Sequence, residues 1–173
     1  MRISLTLAAL LLAGAATSAF AGYDKTTWGM SVGEVQALYP GGVLDRHADG
    51  RTEYRVLRPV AGLSTAMITF DFGGPKGGLK KVSIVFPEQG TDVDLRQALF
   101  EPPSPVQAES VRQTLRAALI AKYGPPAATQ EKNDGWLMSN GDVIQLGLVS
   151  VGAGITPGIE YTSRAPGANT SGL

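Results

Sequence analysis

The chain has no cysteine and a single histidine among its 173 residues. The first absence excludes disulfides, thiolate metal sites, a cysteine nucleophile and a lipid-modified N-terminal cysteine. The second excludes a zinc site built from several histidines. Neither sign of charge is in excess, since 15 Lys and Arg balance 15 Asp and Glu. With a pI near 6.6, the chain lacks the basic balance of nucleic-acid binders, and no nucleic-acid partner is expected. Beyond residue 21, charges and Pro/Gly interrupt every apolar run, so no later segment is expected to span a membrane. A hydrophobic content of 43% excludes a disordered polyampholyte and fits one compact domain.

What is present begins with an address. Met1–Ala21 joins Arg2 to the apolar run Leu5–Ala15 and ends in Ala19-Phe20-Ala21, a small-x-small cleavage pattern. The run is only about half the ~20 residues of a membrane span. Residues 1–21 therefore read as a signal peptide cleaved after Ala21. The expected mature chain starts at Gly22 and carries one net negative charge. It is expected to be periplasmic or secreted, with neither membrane span nor lipid anchor.

Residues 22–163 read as a single α+β domain, followed by a flexible tail, 164–173. Ser31 and Glu34 have capping-box spacing, with Met30 and Val35 at the staple positions, so a short helix is expected to Tyr39, stopped by Pro40-Gly41-Gly42. Strands are expected at Arg51–Arg58, Ala66–Phe72 and Leu79–Phe86, from alternation of residues such as Ile68, Phe70, Val82 and Ile84. The glycine-rich loop 73–78 reads as a hairpin tip. A phosphate loop would need a Gly-Lys-Ser/Thr ending and a following helix. Asp92 and Asp94 read as the acidic start of a helical turn over Asp92–Leu99; a calcium loop needs more oxygen ligands. The longest helix follows Ser104, with Pro105 at N1 and Gln107 at N3. Val111, Leu115 and Leu119 form its apolar stripe, and Arg112, Arg116 and Lys122 are expected elsewhere on the wheel. Strands are expected around Trp136–Met138, Val143–Val149 and Gly158–Ser163, the first two joined at Asn140-Gly141. This order reads as two αβββ-type repeats, about 27–86 and 105–163, with helices packed on one face of an antiparallel sheet.

The motif Trp28-Gly29-Met30-Ser31…Val35…Leu38-Tyr39-Pro40, with Lys122-Tyr123-Gly124-Pro125, Trp136 and Val143–Leu146 in the second half, resembles small bacterial envelope modules. It is similar to the helix-plus-hairpin modules of BamE-type outer-membrane-assembly lipoproteins and to the repeats of β-lactamase inhibitory proteins. The resemblance covers about half the mature chain. It implies a periplasmic location, helices on an antiparallel sheet and protein binding. The lipidation cysteine of the first family and the disulfide cysteines of the second are missing, and no functional residue transfers by position.

For chemistry the sequence offers little. His47 lies in Asp45-Arg46-His47-Ala48-Asp49-Gly50, a turn-like stretch, and no serine sits in Gly-x-Ser-x-Gly. It reads as a solvated loop residue. Glu53, Asp71, Glu88, Glu101, Glu109, Glu131, Asp142 and Glu160 are scattered and read as surface charges rather than a glycosidase pair. Trp28 and Trp136 read as core anchors. Asn169-Thr170-Ser171 matches a glycosylation sequon. No catalytic, cofactor-binding or metal residue and no cofactor is assigned. The expected function is a non-enzymatic protein-binding module whose partner is another envelope protein, recognised on the uncovered sheet face around Lys81. The alternatives are a secreted enzyme inhibitor or immunity protein and, third, a small hydrolase.

Overall fold

The computed structural model describes residues 22–74, 77–151 and 154–163. Residues 1–21, read as a leader, Pro75 and Lys76 of the glycine-rich loop, residues 152–153, and residues 164–173, read as a tail with the Asn169 sequon, lie outside them. In chain order the elements are α1 (Val32–Leu38), β1 (Val43–Arg46), β2 (Thr52–Val60), β3 (Leu63–Phe72) and β4 (Leu79–Val85). Then follow β5 (Val93–Asp94), β6 (Leu99–Phe100), α2 (Pro105–Tyr123), β7 (Ala128–Gln130), β8 (Asn133–Leu137), β9 (Val143–Val151) and β10 (Gly154–Thr162).

The architecture corrects the two-repeat expectation. Strand accounts for 43% of the described residues and helix for only 19%. Eight strands form one antiparallel sheet in the order β1-β2-β3-β4-β10-β9-β8-β7, and β5 pairs with β6 separately. The molecule is mostly β, and its two halves are not separate helix-on-sheet units. Their last strands, β4 and β10, pair with each other from Val85–Gly158 to Lys81–Thr162. The strands missed in the sequence explain the error. β1 and β7 sit at the sheet edges, and β7 is exposed throughout. An edge strand need not bury alternate residues, so it leaves no apolar period to read.

Register carries the core. One row runs Tyr54–Phe70–Val82–Tyr161–Ile144–Trp136 across six strands. The row beside it runs Val56–Ile68–Ile84–Ile159–Leu146 and ends on Asp134. Every one of these side chains is buried. Period-two alternation puts them all on one face.

The helices start where the capping signals place them. Both carry full capping boxes, Ser31 with Glu34 and Ser104 with Gln107. α1 is short, and Val35 is its one buried residue. α2 lies against β9 and β10. Its buried stripe is Ala108, Arg112, Leu115 and Leu119, so Arg112 is not on the wet face. Arg112 Nη1 and Arg116 Nε approach Asp134 Oδ2 at 3.4 and 3.0 Å, and Thr129 Oγ1 donates to Oδ1 at 2.7 Å. The charged end of the second core row is thus closed by two guanidiniums from α2.

On the rim of this cluster, Glu109 accepts from Arg112 and Gln113. The Arg112 guanidinium holds its carboxyl below the usual range, to about 2. A depressed carboxyl stabilises the fold above its unfolded value and loses that contribution as pH falls. We expect acid titration between pH about 4.5 and about 2 to be shallower for Glu109→Gln than for the native protein, read by unfolding midpoint. Identical slopes would contradict the Glu109–Arg112 pairing.

The segment expected to be helical at Asp92–Leu99 is instead the β5–β6 hairpin. Asp94 Oδ1 accepts the Arg96 and Gln97 N–H groups at 2.8 and 3.2 Å, capping a turn rather than a helix. An aspartate closing an Asx turn and one capping a helix look alike in sequence. Before α1, the stretch 22–30 crosses the core face. Gly29 N–H donates to Leu79 O and Leu79 N–H to Met30 O. A Cβ on Gly78 would lie 2.4 Å from Gly29 backbone atoms, so this crossing requires glycine in the β3–β4 loop.

Candidate functional site

The outer face of the sheet, away from the core rows, divides into two parts. Over β1–β4 it is a charge ladder, in which Asp45, Glu53, Asp71 and Lys81 are successive cross-strand neighbours. In the next row stands Arg55, which is 6% exposed. Its guanidinium pairs with Glu53 and donates at 3.3 Å to Asp45 and to the Leu95 and Arg96 carbonyls. The β5–β6 hairpin is thereby held over this part of the face. Met67, on this outer face by the alternation of β3, is buried.

His47 closes the β1–β2 hairpin, its N–H donating to Arg51 O. Its Nε2 lies 3.3 Å from Glu53 and 3.8 Å from Asp45, and the atom is buried. The residue is part of a charged cluster rather than a freely solvated loop. Its side chain lies by two carboxylates and its main chain bonds to Arg51 O and Gly50 N–H, and Arg55 already pairs with both carboxylates. Such a network serves structure in the first instance. Nearby, burial pushes the Asp71 carboxyl above its ordinary range, while Lys81 across the ladder opposes the rise. Lys81 also pairs with Glu160 at 3.5 Å. Charge reversal at Lys81 would set a third carboxylate beside Asp71 and Glu160. It is therefore a poor probe of recognition alone.

Over β4, β10, β9 and β8 the face is different. A groove of about 650 Å³ lies there, lined by Ser83, Gln145, Val149, Glu160 and three glycines. Gly158 pairs with Gly147, and Gly135 with Gln145. The floor is therefore largely main chain. Asn133 leans over Gly147 and Val149 over Gly158, while a Cβ at Gly135 would meet nothing closer than 3.9 Å. Gln130 and Ala128 from edge strand β7 complete one wall.

These glycines carry no local signal of a groove, because a glycine inside an alternating strand looks like a gap in the pattern. Asp134 lies in phase with Trp136 on the same strand, and that phase is the sequence signal for its burial. Of the two tryptophans, Trp136 is buried and donates to Gly124 O at 2.9 Å. Trp28 is half-buried and donates to Asp142 Oδ2 at 2.8 Å. Asp142, expected at the surface, is buried. Among the described residues no group of three or more His, Asp or Glu is arranged to hold a metal, and no helix is long and apolar enough to cross a membrane. Comparison with known proteins finds no matching family model, no similar curated protein and no similar solved structure.

Proposed function

We propose that the protein is an exported, non-enzymatic binding module, and that the groove over β4, β8, β9 and β10 receives an extended segment of another envelope protein. The observation that supports this reading is the clustering of Gly135, Gly147 and Gly158 in one groove of the outer face, with Gly135 open to it. Glycine inside a strand costs roughly 0.5–1 kcal/mol in conformational freedom. It recurs where another backbone must come close. Gly135 leaves open space above its main chain, while Asn133 and Val149 lie over Gly147 and Gly158 and shape the sides of that opening. The carboxamides of Gln145 and Gln130 offer donors and acceptors to a main chain laid there. The leader sequence supports export, and the resemblance of the 28–40 motif to envelope modules supports a protein partner.

The variant Gly135→Leu tests the groove. Its added side chain enters open space on a strand with ordinary backbone geometry. We expect an unchanged circular dichroism spectrum and unfolding midpoint, with at least a tenfold loss of partner capture from native envelope extract. A variant that captures the same partner equally well would rule out the groove. If the captured partner is an enzyme that loses activity when bound, the inhibitor or immunity alternative replaces the envelope-assembly role on the same surface.

A further inference from the structure

We propose that removal of the leader creates a specific contact in the mature protein: the new α-ammonium of Gly22 pairs with the buried carboxylate of Asp142. The proposal draws on the export reading for its cleavage position alone and is independent of the groove.

Asp142 opens β9 from the β8–β9 turn and is 7% exposed. Its two hydrogen bonds from side chains, from Trp28 Nε1 and Asn140 Nδ2, both reach Oδ2 at 2.8 Å. Among the described residues no Lys, Arg or His forms an ion pair with it. A buried carboxylate without a cation is unfavourable. Beside it lies a cavity of about 30 Å³, lined by Gly22, Trp28, Tyr123, Met138, Asp142 and Tyr161, among others. That is room for about one water molecule.

Gly22 is fixed at this wall by its own turn. Thr26 N–H and Oγ1 both donate to Tyr23 O, at 2.9 and 2.7 Å, and Tyr23 N–H donates to Thr26 Oγ1 at 3.1 Å. The Tyr23 ring packs on Tyr161 with centroids 5.3 Å apart. A Cβ on residue 22 would stand 2.2 Å from Thr26 O, so only glycine fits. The other titratable groups near the cavity are Tyr23, Tyr123 and Tyr161, with Lys122 over the Tyr123 ring and Asp24 on the Tyr39 hydroxyl. Burial pushes the Tyr23 hydroxyl up to about 12 and the Tyr161 hydroxyl higher still. Asp142 is therefore the one carboxylate among the residues that line the cavity with Gly22.

Cleavage between Ala21 and Gly22 turns a neutral amide into an ammonium at this position. An amine held by a carboxylate titrates above its ordinary range. Its contribution is full below about pH 8 and is lost as pH rises through the raised value.

The test uses the exported, processed protein, with its N-terminus read by mass spectrometry. Selective Nα-acetylation should raise the unfolding equilibrium constant at pH 7 about tenfold, the equivalent of one pKa unit. In Asp142→Asn the same acetylation should change it less than twofold. The α-amino group, followed by NMR, should titrate above the ordinary α-amino range. Equal effects of acetylation in both backgrounds, or an ordinary α-amino titration, would overturn the pairing and leave the export reading standing. The NMR titration of the native chain decides alone if Asp142→Asn does not fold. A natural N-terminus other than Gly22 would overturn the cleavage position and the pairing with it.

Discussion

Asp134→Ala should lose about 3–5 kcal/mol of folding stability, the range for breaking a buried ion pair by deleting one partner. Asp134 is 2% exposed and stands at the end of an apolar row. It is tolerated there because Arg112 and Arg116 reach it from α2 and Thr129 from β7. Removal of its carboxylate leaves Arg112, which is 7% exposed, with Glu109 as its remaining anion. The penalty is mainly the desolvated guanidinium rather than the lost contact. Replacing Arg112 and Asp134 together by apolar residues of similar size, Arg112→Met with Asp134→Leu, should recover most of the loss. Urea titrations of the single and double variants check this. A near-neutral Asp134→Ala would show that α2 does not depend on this cluster.

The second large effect is expected at Leu115→Ala, at about 2–5 kcal/mol. Leu115 has no exposed surface and belongs to the main core cluster, with Leu119 one turn on and Ile144, Leu146 and Ile159 from the sheet. Its truncation leaves a void between α2 and the sheet. Val106, in the first turn of the same helix, is 81% exposed. Val106→Ala should change stability by less than about 0.5 kcal/mol. Comparable losses for the two variants would mean that α2 presents a different face to the sheet.

These two residues also mark what could and could not be read from the sequence. Leu115 was legible because its spacing to Val111 and Leu119 is a helical period, and because Ser104-Pro105 and Gly124-Pro125 bracket the helix. The cores of β3 and β4 were legible for the same reason at period two. Arg112 was not. A charged residue one turn before Leu115 reads as solvent-facing until a partner is known. That partner, Asp134, lies 22 residues away on strand β8. The sheet's extent was illegible at its edges, since β7 has no buried residue and β1 is only partly covered. The joining of β4 to β10 is a long-range pairing with no local signal. The glycine groove was hidden for a related reason. Each glycine is separately a weak break in its strand, and only register brings Gly158 opposite Gly147.

The proposed binding role rests on how the outer face is divided. The part over β1–β3 is occupied by the Arg55 cluster and the β5–β6 hairpin, and His47 is taken up in that cluster. The part over β8–β10 holds a groove of about 650 Å³ with open main chain at Gly135. A partner strand laid there would meet that backbone and the side chains of Gln130, Asn133, Gln145 and Val149. That geometry suits recognition of an extended segment.

The most direct measurement is site-resolved crosslinking in the native envelope. A photo-reactive side chain placed at Gln145 on the groove wall should capture one defined partner protein. The same group placed at Val106, exposed on α2 and remote from the groove lining, should not capture it. Adducts from Val106 with none from Gln145 would contradict the groove as the binding surface.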